Sequence, residues 1–485
     1  MIRRPLPVAI RPRGVILGVT AAVLVAGAAV GLSKSDPGQS YADLLAAQSQ
    51  AIYGFGHPLD HAATGTFTGP GDQAVELAKG LTARVVSSVI GENPDMIGLW
   101  PDDSAPTDAI ICNEITGNVA GAPATLQRVH LADGVVSDIA FGLVSCDPVH
   151  RTAWGTIVFG EENGNLGRLY ELLDPLTTSG VQIDRATGTT SDPVHVVART
   201  ALGQVSYEGL VSLPDGTTYY ADELRPSNGK PGGGVYKFVP SHRYAGSSPI
   251  SNLADSPLAA GSVSVMRLGI RNGGTDFGQG SNTGAGRWVP LGTSPGATWN
   301  LAAAALAAGG YTGYYRPEDM DLDPLAWADG RIRACWNNTG NDEAENWGET
   351  MCLEDVVDAS VATGRHPVVE PFVIGNADLR MPDNLDFQPG TGILYILMDA
   401  TTSAADPNRS NDSIWACLPD GTDSDILSDG CVRVMNLKDG AAEFTGIEFL
   451  GDGKSFLVHL QHRDQTGRAV PGTSDEILVS GLATH

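Results

Sequence analysis

The chain has 485 residues, with 30 Lys and Arg against 56 Asp and Glu, a net charge of −26. A surface of that charge repels nucleic acid and anionic lipid, which excludes both as partners of the main body. Length alone suggests two or three domains, but all-β domains often run long, and 60 glycines with 6% aromatics fit many short strands and turns.

Residues 1–33 stand apart. They open with MIRRPLPVAIRPRG, which carries four arginines and no acid, and continue with the uncharged VILGVTAAVLVAGAAVGL. A basic start followed by an apolar run reads as an export signal, and the small residues around Ala26 permit cleavage. Eighteen residues also just suffice to span a bilayer, so a retained anchor is the second reading. The Arg3-Arg4 pair alone is a weak twin-arginine signal. Without this segment the charge is −30. The exported body is expected to be periplasmic or extracellular, and to meet a membrane only through these first residues. An anionic substrate would need cations to invert the local field.

Residues 34–71 read as a polar lead-in with a short helix over 41–52. Residues 72–89 read as a helix, capped by Asp72, and then a strand. From 72 to 485 the expectation is one β-propeller. Turn dipeptides such as Asp215-Gly216, Asp329-Gly330 and Asp452-Gly453 separate alternating runs. The Gly-rich tracts 225–234 and 272–296 read as loops over a channel mouth rather than core strands. TWNLAAAALAA at 298–308, followed by Gly309-Gly310, reads as one short helix.

Six segments share one pattern: an acid or amide at a strand entry, a tight turn, and a second strand ending in acids. They occupy 96–117, 154–165, 207–224, 316–337, 382–399 and 445–462. Repetition at this scale points to a propeller, whose blades aim corresponding residues at one axis. Spacings of 66 residues from Glu318 to Asn384 and 64 from Asn384 to Glu448 fit single blades with insertions, and the count suggests six blades. Closure would place N-terminal strands beside 477–482.

The ordered set AWGTIVFGEENG, YEGLVSLPDGTTYYADE, RPED, PDNLDFQP and TGIEFLGDGKSFLVHLQH resembles the PhoX-type alkaline phosphatase family of exported bacterial propellers. The resemblance runs from about Leu77 to His462. It implies a six-bladed channel in which calcium and iron ions hydrolyse phosphate monoesters. The family's acidic doublet falls on Glu161-Glu162, its HEG motif on Tyr207-Glu208-Gly209, its strand-end acids on Asp222-Glu223, and its RPE motif on Arg316-Pro317-Glu318. By resemblance Glu161, Glu162, Glu208, Asp222, Glu223 and Glu318 become metal ligands, Arg316 the phosphate-binding residue, and Cys146 an iron thiolate. The chain departs from the family in carrying Tyr207 for the histidine, Asp147–His150 for a glycine-rich tract, and Asn113-Glu114 without an early histidine.

The residue types agree in part. Carboxylate oxygens suit hard Ca²⁺ and Fe³⁺, and an arginine binds phosphate through two parallel hydrogen bonds. Plainer readings stand beside these. Six cysteines in an exported chain suggest three disulfides, with Cys335/Cys352 and Cys417/Cys431 as hairpin-sized loops, and Cys146 paired with Cys112. Arg316 could simply neutralise an acid ring. His459 and His462 fit ordinary strand positions. The expected enzyme is a metal-dependent phosphomonoesterase acting on a small phosphate ester. The alternatives are a calcium-dependent propeller hydrolase of lactones or esters, and a non-catalytic calcium-stabilised surface propeller.

Overall fold

The computed structural model describes residues 41–115, 123–227, 230–269, 280–400, 410–418, 430–462 and 474–483. The signal or anchor expected over 1–33 lies outside them. Among the described residues no helix is long and apolar enough to cross a membrane.

The fold is all-β and propeller-like. Its innermost strands are Pro94–Trp100, Cys146–Arg151, Tyr207–Ser212, Pro317–Leu322, Pro382–Phe387 and Glu443–Phe449. Each packs against the next, and the last packs against the first, so they close a ring. From each, strands run outward in antiparallel pairing, except that Val181–Asp184 pairs parallel with Val136–Phe141. Four of the strand sets are separate sheets or parts of sheets of four to six strands; the sheets beginning at Tyr207 and Pro317 merge into one through Gly284–Gly292, whose Gly284 and Ala285 pair with Val369 and Val368. The N-terminal strands close the last two sheets. Val75–Leu77 pairs with Cys431–Leu437, and Thr82–Ile90 pairs with Ser474–Ser480.

The core lies between neighbouring sheets, where the apolar sides of alternating strands face each other. Tyr395 meets Phe449 edge-on at 4.8 Å between ring centroids. Tyr207, Tyr220 and Tyr236 form a buried ladder with successive centroids 5.6 Å apart. Tyr53 and Phe55 of the lead-in are buried in the same cluster as Tyr395 and Phe456.

Side chains also stitch the inner strands laterally. Asp319 Oδ2 accepts from the Leu385 amide at 3.0 Å, Asp321 Oδ2 from Phe387 at 3.2 Å, and Asp386 Oδ2 from Phe449 at 2.6 Å. Asn384 Oδ1 accepts from the Gly446 amide at 2.8 Å. Each bond reaches the following inner strand, which no backbone ladder does.

Several local expectations need correction. The lead-in helix is two pieces, Tyr41–Ala47 and Ser49–Ile52. Residues 72–89 hold no α-helix: Asp72 sits within the single 3-10 turn Gly71–Gln73, and strands Val75–Leu77 and Thr82–Ile90 follow. The Gly-rich tracts also supply strands. Gly233–Pro240 is a central strand, because a Cβ on Gly233 would lie 1.7 Å from the Asp222 carbonyl and only glycine permits that approach. Gly284–Gly292 is held by the burial of Trp288 and Val289 despite its glycines. Residues 272–279 lie outside the described residues. The Ala-rich helix is Leu301–Ala307, capped by Asn300, whose Oδ1 accepts from the Ala303 amide at 2.7 Å. The helix Pro324–Ala328 was not expected.

Gly209 marks the tightest contact in the ring. A Cβ there would lie 1.9 Å from the Met320 amide nitrogen, so two inner strands would have to separate. Overpacking a well-packed core costs roughly 1–3 kcal/mol, and a backbone neighbour that cannot yield places the cost at the upper end. Gly209→Ala is therefore expected to lower stability by about 3 kcal/mol in urea denaturation; a loss below about 0.5 kcal/mol would show that the ring is not packed this closely.

Candidate active site

The inner strands enter the ring in a repeated way. Asn93, Ser145, Arg316 and Met381, each just before an inner strand, have positive φ of 51°, 45°, 54° and 47°. Non-glycine residues in this region store strain of order 1–3 kcal/mol, which the surrounding fold must hold. A bulge follows at once. In five strands the first pairing residue is Pro94, Cys146, Tyr207, Pro317 or Pro382; two residues then oppose one on the partner strand. The first residue of each bulge is Asp95, Asp147, Glu208, Glu318 or Asp383. The same break in the sixth strand falls on Gly446 and Ile447. A bulge re-aims a side chain that alternation would otherwise point into a sheet face.

The partner strands supply a second set. Asn113, Glu161, Asp222 and Met398 are their last paired residues. Glu114, Glu162, Glu223 and Asp399 come next, on the opposite side by the two-residue period of a strand. In the sixth sheet Gln461 pairs with Glu443, and His462 follows.

These residues converge. A cavity of about 220 Å³ is lined by nine carboxylates, Asp95, Glu114, Asp147, Glu162, Glu208, Glu318, Asp383, Asp399 and Glu443, together with Arg316, Gln461 and His462. Four overlapping groups bring one oxygen from each member within 4.8 Å: Asp95/Glu114/Asp147, Asp147/Glu162/Glu208, Glu208/Glu318/Asp383 and Asp383/Asp399/Glu443. Asp147 leaves its buried Oδ1 without a hydrogen-bond partner. Asn384 Nδ2 donates to Asp95 Oδ1 at 3.1 Å, and the Thr339 hydroxyl donates to Glu318.

Two charged carboxylates at such a separation repel by roughly 3–4 kcal/mol at an effective dielectric of about 20. Arg316 offsets part of this. Its guanidinium pairs with Glu223, with Glu318 at 3.2 Å and with Asp399 at 3.8 Å. Burial opposes its charge, but Glu318, Glu223 and Asp399 outweigh burial and hold it protonated. The acids respond as crowded, desolvated groups do. Burial first, and neighbouring carboxylates next, push Asp147, Glu208 and Asp383 well above the usual carboxylate range. Burial raises Glu114 to about 7; burial and then Glu223 raise Glu162 to about 10. Burial lowers His462 and keeps its ring neutral.

A family model described as alkaline phosphatase PhoX matches residues 149–464, well over half the chain. The chain belongs to the PhoX alkaline phosphatase family. Among solved structures it resembles Pseudomonas fluorescens PhoX in complex with vanadate, at 16% identity and a TM-score of 0.58, over 87% of this chain and 98% of that one. The Escherichia coli soluble aldose sugar dehydrogenase matches at 11% identity and a TM-score of 0.41, over 83% of this chain and 99% of that one. The pyranose dehydrogenase PQQ domain of Coprinopsis cinerea matches at 10% identity and a TM-score of 0.38, over 87% and 100%. No curated protein sequence matches this PhoX-family chain.

Of the residues singled out from sequence, Glu162, Glu208, Glu318 and Arg316 line the cavity, and Glu223 adjoins it through Arg316. Glu161 and Asp222 do not. As the last ladder residues they face away from the axis. Glu161 pairs with Arg185 at 2.8 Å, and Asp222 Oδ1 accepts from the Ser206 amide at 2.9 Å. Cys146 is bonded to Cys112, so it offers no thiolate. Tyr207, at the family's histidine position, turns away from the axis, and its hydroxyl donates to the Gly203 carbonyl at 3.0 Å. The sequence reading missed Asp95, Glu114, Asp147, Asp383, Asp399 and Glu443 as site residues and assigned His462 to an ordinary strand position. For Asp95, Asp147 and Asp383 the signal available was an acid one residue past the strand entry, after proline in two of the three.

Carboxyls held above their ordinary value bind protons in the folded state that the unfolded chain releases. Stability of cation-free protein must then fall as pH rises from about 4.5 toward about 10, the interval set by the ordinary glutamate value and Glu162. The melting temperature of chelated protein is expected to drop between about pH 5.5 and pH 8.5, and added Ca²⁺ to abolish that slope. A chelated protein that melts higher at pH 8.5 would contradict the crowding.

Proposed function

We propose that the chain is an exported, metal-dependent phosphatase that hydrolyses small phosphate monoesters in the acidic cavity of a six-bladed propeller. Family membership and the likeness to the Pseudomonas fluorescens fold support the phosphatase. The closed cycle of six inner strands supports the blade count, with the merged sheet read as two blades bridged by Gly284–Gly292. The propeller is taken as 72–485, with 34–71 packed on it. Three disulfides fit an oxidising compartment and so support export to the periplasm or outside the cell.

The observation that carries metal dependence is the convergence of nine carboxylates, one with an unpartnered buried oxygen, around one arginine. This donor set fits hard cations, Ca²⁺ foremost. Fe³⁺ would here be held by oxygen alone, because Cys146 is bonded to Cys112. Asp147, Glu208 and Asp383 each belong to two of the donor groups that would hold the cations. Bound cations supply positive charge for the phosphoryl oxygens and a deprotonated water at neutral pH.

This chain's own residues do the rest. Arg316 presents a guanidinium, fixed by Glu223 and Glu318, that binds two phosphoryl oxygens and orients the ester. It lines the cavity from a position just ahead of the bulge. Thr339 holds Glu318 by hydrogen bond, and Asn384 holds Asp95. His462, neutral and with Nε2 3.6 Å from Glu443, adds a nitrogen that can accept a proton at the cavity edge.

Purified protein supplied with Ca²⁺ and Fe³⁺ is expected to hydrolyse p-nitrophenyl phosphate and to lose that activity on chelation. Glu318→Gln removes a charge from one donor group and should lower kcat at least about a hundredfold, the scale of losing a group that stabilises the transition state. Arg316→Ala should keep the metal content and raise KM. If metal-replete protein hydrolyses no phosphate ester from mildly acidic to alkaline pH, the phosphatase reading fails.

A further inference from the structure

The three disulfides are not equivalent. Cys335–Cys352 and Cys417–Cys431 each join register partners on adjacent strands of one sheet, which the ladder already holds together. Cys112–Cys146 joins two sheets. Cys112 pairs with Leu126 in the first, and Cys146 pairs with Glu161 in the next. Both sulfurs are buried in the apolar cluster between those sheets.

Each end of this bond lies beside a cavity carboxylate. Asp147 follows Cys146 directly, and Glu114 lies two residues after Cys112. Those two carboxylates come from different sheets, yet with Asp95 they place oxygens within 4.8 Å of one another. Asp147 is also the member shared with Glu162 and Glu208. One covalent link therefore sets the distance between the strand end that precedes Glu114 and the strand entry that carries Asp147. Groups that hold ligands in place commonly change metal affinity by about 10–100-fold when removed.

We propose that Cys112–Cys146 is a positioning clamp for a divalent cation held by Asp95, Glu114 and Asp147, and that opening the clamp weakens that site while the other donor groups keep their cations. This rests on the cavity being a cation centre.

The test titrates Ca²⁺ into chelated wild type, Cys112→Ser/Cys146→Ser, and Cys335→Ser/Cys352→Ser as a control that also loses a disulfide. The first variant is expected to bind one class of Ca²⁺ about tenfold or more weakly, and the control to keep all Ca²⁺ affinities. Wild type that binds no cation ends the cation-centre reading itself. Wild type that binds cations, with both variants affected alike or not at all, overturns the clamp.

Should the first variant not fold, the native protein gives a second measurement. A dithiol reductant breaks the S–S bond, passing two electrons and two protons to form two thiols while closing its own disulfide. Because coupling is reciprocal, bound Ca²⁺ must protect this bond. At a fixed dithiol redox poise, thiol labelling and mass mapping are expected to show the equilibrium ratio of reduced to oxidised Cys112–Cys146 rising at least about tenfold after chelation, relative to the equally buried Cys335–Cys352. Equal protection of both bonds by Ca²⁺ overturns the proposal.

Discussion

Mutual repulsion of carboxylates along one axis is the constraint around which the rest of the structure is arranged. Nine such groups share a cavity of about 220 Å³ with a single guanidinium. Groups so crowded and buried hold on to their protons, so their charge is suppressed. The bulges that present the acids, the strained residues that precede them, and Arg316 wedged between Glu223 and Glu318 all serve to bring like charges together. Local backbone strain of this kind persists only where packing enforces it, and here the packing is the buried tyrosine ladder and the close inner strands behind the site.

The same inner strands carry a second set of acids with a different task. Asp319, Asp321 and Asp386 spend their oxygens on amides of the following strand. Repetition of acids along these segments therefore has two physical causes, one at the bulge and one further along each strand. Residue type does not separate them. Only the hydrogen-bond partners do.

The propeller-like class was legible from the six turn-linked segments, and half-cystine pairing from parity in a chain with an export-like start. The acidic doublets were legible as doublets, but not by member. Strand alternation sends Glu162 and Glu223 to the axis and Glu161 and Asp222 away, and choosing between them needs the register of the last ladder pair. Asp95, Asp147 and Asp383 were harder still, since a bulge breaks the alternation on which any such choice relies. Gly284–Gly292 was illegible for another reason: its glycines argue for a loop, and burial of Trp288 overrides them. Tyr207, read as a departure at the site, belongs to the core, because a ring stacked on Tyr220 cannot also face the axis.

Closure of the ring by its earliest strands also sets the order in which the molecule can be finished. Thr82 meets Ser480 at a sequence separation of 398, so this early strand waits for the last described one. Until Ser474–Ser480 arrives, Thr82–Ile90 presents an unpaired edge, and Ser455–Gln461, already paired with Glu443–Phe449, lacks its outer neighbour. Such non-local pairing is slow, because the whole loop must be ordered before the contact is made.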